Sequence, residues 1–351
     1  MPGAVKNFIG REGFIWFVGV IEDRNDPEMM GRARVRCFGW HTEDKALIPT
    51  EDLPWAHVLQ SSNAPSTYAP KEGDYVCGFF MDGDSAQNPV IMGVLPGKPQ
   101  AKPDYSKGFS DARTDFGNAP TSEPYPLGGY INEPTNSRLA RGRKDDTVIE
   151  TRERNLKSGI QCLGTSWSEP RPTFNPTYPY NFVHETESGH ALELDDTKDN
   201  ERVHLAHKKG TYIEFDKDGN RAEKVVKDNY TVIMGSDYIY VEGTVNVTVG
   251  GDCNMKVNGK FNLEAAEINM KAAGAINAQS GSATNIKAGS SFTASAGSSG
   301  KVEAGSSLDL NAGSTATLKG STAKLVGNIP NQVKIPPGTD KPGGIGKVLS
   351  A

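Results

Sequence analysis

No run of 18 apolar residues occurs anywhere in this chain, so no segment reads as a membrane-spanning helix. The opening MPGAVKNFIGREGF has no long apolar stretch either, and a secretory leader is not expected. Cysteine is scarce: Cys37, Cys77, Cys162 and Cys253 among 351 residues, with no CxxC spacing. That is too sparse for a disulfide framework and fits assembly in a reducing compartment. Charge of one sign is also lacking. A net charge of -5 argues against a nucleic-acid groove. No Ser-His-Asp, Cys-His or phosphate-loop pattern is visible, so no catalytic, cofactor-binding or metal-ligating residue is expected. Gly at 39 and Pro at 22 are not collagenous, because the repeat they mark has a period of eight rather than three.

That repeat is what the chain does have. Glycine returns at Gly235, Gly243, Gly251 and Gly259, then at Gly281, Gly289, Gly297, Gly305 and Gly313. Between the glycines apolar residues alternate: Val245, Val247 and Val249, then Cys253, Met255 and Val257, then Phe261, Leu263 and Ala265. After Ala265 the parity changes once, as a seven-residue step requires. The set continues through Ile268, Met270, Ile276, Ala278, Ile286, Phe292, Val302, Leu308, Leu310 and Leu318. Period two means β-strand with one face buried. The charges agree. Lys256, Lys260 and Glu264 oppose the first set; Glu267, Lys271, Lys287, Lys301, Glu303, Asp309 and Lys319 oppose the second. A one-residue slip would bury the lysines, so the register is strongly specified.

One octad cannot bury anything alone, and a single-chain β-solenoid needs a coil of roughly 20 residues. Three copies wound around a common axis can close what one cannot, each supplying one wall per octad. Glycine at the corners allows the turn. The expectation is a homotrimeric, intertwined β-helix with a dry axis.

The N-terminal part reads as five short strands without helical period: Phe14–Ile21, Arg32–Phe38, Leu53–Leu59, Asp74–Met81 and Pro89–Leu95. Such a set suggests a small OB-type barrel, here a docking collar rather than an oligonucleotide reader. Residues 98–180 are rich in Pro, Gly, Ser and Asn and read as a solvated, extended linker with at most one short helix or strand. Its mixed-charge stretch Arg138–Arg154 leaves a basic patch for a partner as the alternative. Residues 181–234 read as hairpins, with turns at Ser188-Gly189, Lys209-Gly210 and Asp218-Gly219-Asn220, forming a neck ahead of the octads.

FVGVIEDRNDPEMMGRARVR, IPTEDLPW, YPYNFVHETESGHALELDDT and GTYIEF closely resemble the central spike proteins of contractile-tailed phage baseplates, called tail-associated lysozymes in some phages. Type VI secretion spikes share the plan. The resemblance implies an all-β homotrimer with an OB domain (1–97), a linker (98–180), a neck (181–234), a β-helix (235–327) and a tip segment (328–351). It implies a virion baseplate protein that docks to the tail hub and contacts the host outer membrane as the sheath contracts. It also implies a small PAAR-like tip protein as a partner of the last segment, where capping of the helix end and a flexible tail are the alternatives.

The lysozyme-bearing members insert a catalytic domain between barrel and β-helix, whereas only 98–180 lies there in this chain. Glu150, Glu153 and Glu169 are the nearest carboxylates, and nothing in the sequence buries one to raise its pKa as a general acid requires. A structural, non-enzymatic spike is therefore expected, with a peptidoglycan-cleaving spike, a secretion-system spike and a receptor-binding fibre as rivals. Four of six histidines fall between His184 and His207 and read as polar groups on a solvated neck, with a trimeric metal site at His190 or His204 as the other reading.

Overall fold

A computed structural model describes residues 14–62, 70–101, 103–112 and 131–322, so the segment 328–351 and its tip partner lie outside the described residues. The chain divides into two compact units, up to Lys256 and from Val257 onward.

In the first unit the predicted N-terminal strands form within two residues of their expected ends. They are β1 (Trp16–Asp23), β2 (Ala33–Cys37), β3 (Trp55–Val58), β4 (Tyr75–Phe80) and β5 (Pro89–Val94). They close into a barrel in the order β1-β2-β3-β5-β4, in which only β3 and β5 run parallel. Closure removes the free edges that an open sheet of this size would expose. Phe17, Ile21, Val35, Val76, Phe80 and Ile91 fill the interior, and the Phe17 and Phe80 rings meet at 4.9 Å.

One ion pair is buried in the wall. Arg36 Nε donates to Glu22 Oε1 at 2.7 Å, and both side chains are fully covered. The rest of the pair is spent on tethering loops. Arg36 donates to the carbonyls of Thr42 and Ile48, each at 2.8 Å, while Glu22 accepts from Thr50 Oγ1 at 2.8 Å and from the Phe109 N–H at 3.0 Å. Burial alone would raise the Glu22 pKa, but the bonds from Arg36 and Thr50 outweigh it and hold the carboxyl below its usual range.

Gly78 sits where β4 and β5 shift register, and a Cβ there would lie 2.0 Å from the Val90 carbonyl oxygen and 2.6 Å from the Phe17 ring. Gly78→Ala should therefore open the barrel, costing about 1–3 kcal/mol or more of stability as overpacking does, and clearly lower its thermal midpoint. An unshifted transition in circular dichroism would contradict this.

Beyond the barrel the expected linker is partly a folded cap. It carries a helix, α1 (Val148–Arg154), and a hairpin, β6 (Ile160–Cys162) with β7 (Thr165–Trp167). Thr147 caps α1 by accepting from the Ile149 N–H at 3.3 Å, and Glu150 accepts from the Asp146 N–H at 2.8 Å. Leu139, Val148, Ile149 and Phe174 pack on the sheet that follows, which explains why the segment is not a free linker. The mixed charges are spent locally: Glu133 accepts from Arg138 and Arg141, each at 3.0 Å, and Arg152 is buried.

The predicted hairpins of the neck join into a single antiparallel sheet in chain order: β8 (Asn181–Glu185), β9 (Ala191–Asp195), β10 (Arg202–Ala206), β11 (Tyr212–Phe215) and β12 (Arg221–Lys224). Its alternation is inverted relative to a soluble monomer. The cap covers the face bearing Asn181, Glu193, Asp195, Arg202, His204 and Glu214. The open face bears Phe182, Leu194, Val203 and Phe215 in one cross-strand row, and Leu192, Leu205 and Ile213 in the next.

Candidate functional site: an unpartnered apolar face

Past β12 no hydrogen-bonded strand forms among the described residues, yet the backbone keeps the octad rhythm. It bends at 234–235, 242–243, 250–251 and 258–259, then at 266 and 273–274, and thereafter at 281–282, 289–290, 297–298, 305–306 and 313–314. From Gly259 to Gly274 the bends advance by seven and then eight residues, so one seven-residue step falls at Ala266; another separates 313–314 from 320–321. The step at Ala266 is where the apolar parity changes.

The sequence-predicted core residues divide between the two units. Val245, Val247, Val249 and Met255 lie in the first; Val257, Phe261, Leu263, Ile268, Met270, Ile276, Ile286, Phe292, Val302, Leu308, Leu310 and Leu318 lie in the second. Within one chain all are exposed, from 48% for Val257 to 83% for Leu310. Cys253, expected on the buried parity, is likewise exposed and unpaired. A soluble monomer rarely shows so long a row of apolar side chains without a partner to cover it. The open face of the β8–β12 sheet adds to the uncovered apolar surface, with Phe182 71% and Leu205 55% exposed. Sequence reasoning did not identify that face, although the alternation in ALELD and RVHLA carries it.

The covered face of the sheet holds a charged cluster that reading the sequence placed in solvent. His204 is 1% exposed. The expectation of a solvated neck histidine is corrected: His204 Nδ1 lies 2.8 Å from Glu193 Oε1, because β9 and β10 pair in a register that sets the two residues side by side. Glu193 Oε2 also accepts from Arg202 Nη2 at 2.5 Å and from Asn181 Nδ2 at 2.9 Å. Arg202 and Arg152 share Glu214, at 3.3 and 2.7 Å, and the Arg152 guanidinium lies 3.7 Å from the centre of the Tyr212 ring. Burial pushes the Glu193 pKa up, but His204, Arg202 and Asn181 together bring it below its usual value.

The carboxylates weighed for hydrolysis do not form an acid–base pair. Glu150 and Glu153 lie on α1 and serve Asp146 and Lys144. Glu169, expected in an open loop, is instead largely covered. Burial raises its pKa, yet Lys224, the Lys157 N–H and the Tyr212 hydroxyl lower it further and hold it below its usual range, the opposite of the raised pKa that a general acid needs. The His190 and His207 rings meet at 4.4 Å, tilted by 49°, but each Nδ1 accepts a backbone N–H, from Lys208 and Lys209 respectively. Among the described residues no group of three His, Cys, Asp or Glu side chains could hold a metal ion, and no helix is long and apolar enough to cross a membrane.

Comparison with known proteins agrees with this architecture. Residues 39–202 match the Gp5 N-terminal OB domain, a stretch that begins after β2 and runs through the cap into the β8–β12 sheet. The chain is 35% identical over 268 residues to Protein Gp5 of Vibrio phage KVP40, covering 64% of this chain and 61% of that protein. It is 35% identical over 155 residues to the pre-baseplate central spike protein Gp5 of Enterobacteria phage T4, covering 40% of this chain and 27% of that one. The chain thus spans less than two thirds of the length of either relative. Across barrel, cap and sheet the chain is therefore similar to the Gp5 N-terminal OB domain, and it is similar to phage Gp5 proteins, one of them a pre-baseplate central spike protein.

Proposed function

We propose that this protein is the structural spike of a contractile phage tail baseplate, acting as a homotrimer that breaches the host outer membrane when the sheath contracts. One observation carries the reading: the alternating apolar face from Val245 to Leu318 stays uncovered in a single chain while its bends keep the octad period. Three copies wound together as a triple-stranded β-helix would turn that face inward and pair every strand edge. Stiffness then comes from backbone hydrogen bonds closed around the axis. The inverted β8–β12 sheet supports the same assembly, since Phe182, Leu194, Val203 and Phe215 need an apolar partner and the cap already occupies the other face.

The barrel is the part that docks to the tail hub. Its outer wall carries Trp16, Tyr75 and Met92, each 45% exposed or more, which suits a protein interface. No hydrolytic step is assigned to the chain; Glu133, Glu150, Glu153 and Glu169 are each ion-paired or spent on a backbone donor.

Native mass spectrometry of the purified full-length protein should give three chains per particle, and a zymogram on peptidoglycan should stay unlysed. A well-folded single chain would sink the trimeric reading, and a cleared band would restore the hydrolase.

A further inference from the structure

The β6–β7 hairpin belongs to neither hydrophobic core, yet it is firmly anchored. At its base Glu169 accepts from the Lys157 N–H at 3.0 Å, from Lys224 Nζ at 2.8 Å and from the Tyr212 hydroxyl at 2.9 Å. Lys224 also donates to the Asn155 carbonyl at 2.6 Å, so β11 and β12 grip both ends of the segment. Gly164, at φ 76°, makes the turn in a backbone region that favours glycine. The hairpin also meets the octad segment between the bends at 242–243 and 250–251. Thr248 Oγ1 donates to the Gln161 carbonyl at 2.8 Å, and Cys162 Sγ lies 3.7 Å from the Val247 carbonyl oxygen.

Two strands of three residues are marginal by themselves, and their edges invite pairing. The hairpin nevertheless leaves Leu163 88% and Trp167 42% exposed. We propose that β6–β7 is a clasp. It holds residues 247–248 of its own chain through Gln161 and Cys162, and its exposed side chains, Leu163 and Trp167, seat against a neighbouring copy of the chain. The clasp thereby fixes the level at which the copies begin to wind.

The occupant is a second copy for two reasons. The clasp grips residues 247–248 in an octad segment that forms no strand pairing among the described residues. Its free side chains are apolar rather than charged, matching Val245 and Val249, which are exposed in that same octad. This inference rests on the trimeric reading above.

The test replaces Leu163 with photoreactive benzoylphenylalanine in full-length protein assembled from a mixture of light and isotopically heavy chains. Cross-linked peptides should join a light chain to a heavy one near residues 244–257. Cross-links confined within one chain, or none in a particle of three-chain mass, would overturn the clasp and leave the trimer standing. A single-chain native mass would instead remove the trimer and the clasp with it. As a second measurement, the double variant Leu163→Ser, Trp167→Ser should melt several degrees lower as an assembly, and an unmoved transition would count against the clasp.

Discussion

Phe292→Asp should abolish the assembled spike while leaving the N-terminal barrel folded. Three copies would place three carboxylates at one level of a dry axis. Each buried, unpaired charge costs several kcal/mol, so the penalty per particle is on the order of 10 kcal/mol. Leu263→Asp should behave alike from the other side of the seven-residue step. The control is Ser291→Asp, which puts the same charge one residue away, on the parity that carries Lys287 and Lys301. It should leave the melting transition nearly unchanged, because a period-two strand sends neighbouring side chains to opposite faces. Equal stability of Phe292→Asp and Ser291→Asp in thermal melts followed by light scattering would refute the register, and with it the wound assembly.

The second large effect belongs to the charged cluster under the cap. Glu193→Ala removes the group that faces Arg202, His204 and Asn181, leaving a guanidinium buried with only Glu214 to share between two arginines. Breaking a buried pair by deleting one partner costs about 3–5 kcal/mol. Replacing both partners with apolar residues, Glu193→Leu with Arg202→Met, should cost far less, because no uncompensated charge remains. The acid dependence has a fixed sign. The folded Glu193 pKa lies below its ordinary 4.5, so its contribution is complete above that pH and is lost as pH falls toward the folded value. Urea midpoints at neutral pH and near pH 3.5 should differ more for the parent protein than for the Glu193→Leu, Arg202→Met pair. Equal pH sensitivity would place the acid-labile charge elsewhere.

The barrel strands and the octad spacing of the bends were legible in the sequence. The barrel strands announced themselves through short β-branched and aromatic runs between Gly and Asp turns. The octads did so through glycine spacing and the sorting of lysine and glutamate onto one parity. The cap was missed because its core residues, Leu139, Val148, Ile149 and Phe174, are scattered through Pro-rich chain and show no period of their own. One local signal was there: Thr147 and Glu150 form the S/T-x-x-E pattern that opens a helix. The buried cluster escaped for a different reason. Glu193, Arg202, His204 and Glu214 look like a wet face to any rule that sends charge outward, and only the strand register shows that they neutralise one another.

The seven-residue step at Ala266 limits how a wound assembly of such chains could change length. Copies that share an axis must all take the short step together, so a chain gaining or losing one residue among the octads would fall out of phase with its fellows. Whole repeats, by contrast, can be added or removed without disturbing the phase on either side. If the chains wind as proposed, their lineage can lengthen or shorten only in quanta of one repeat, and two variants that differ by a fraction of a repeat would refuse to mix in one particle.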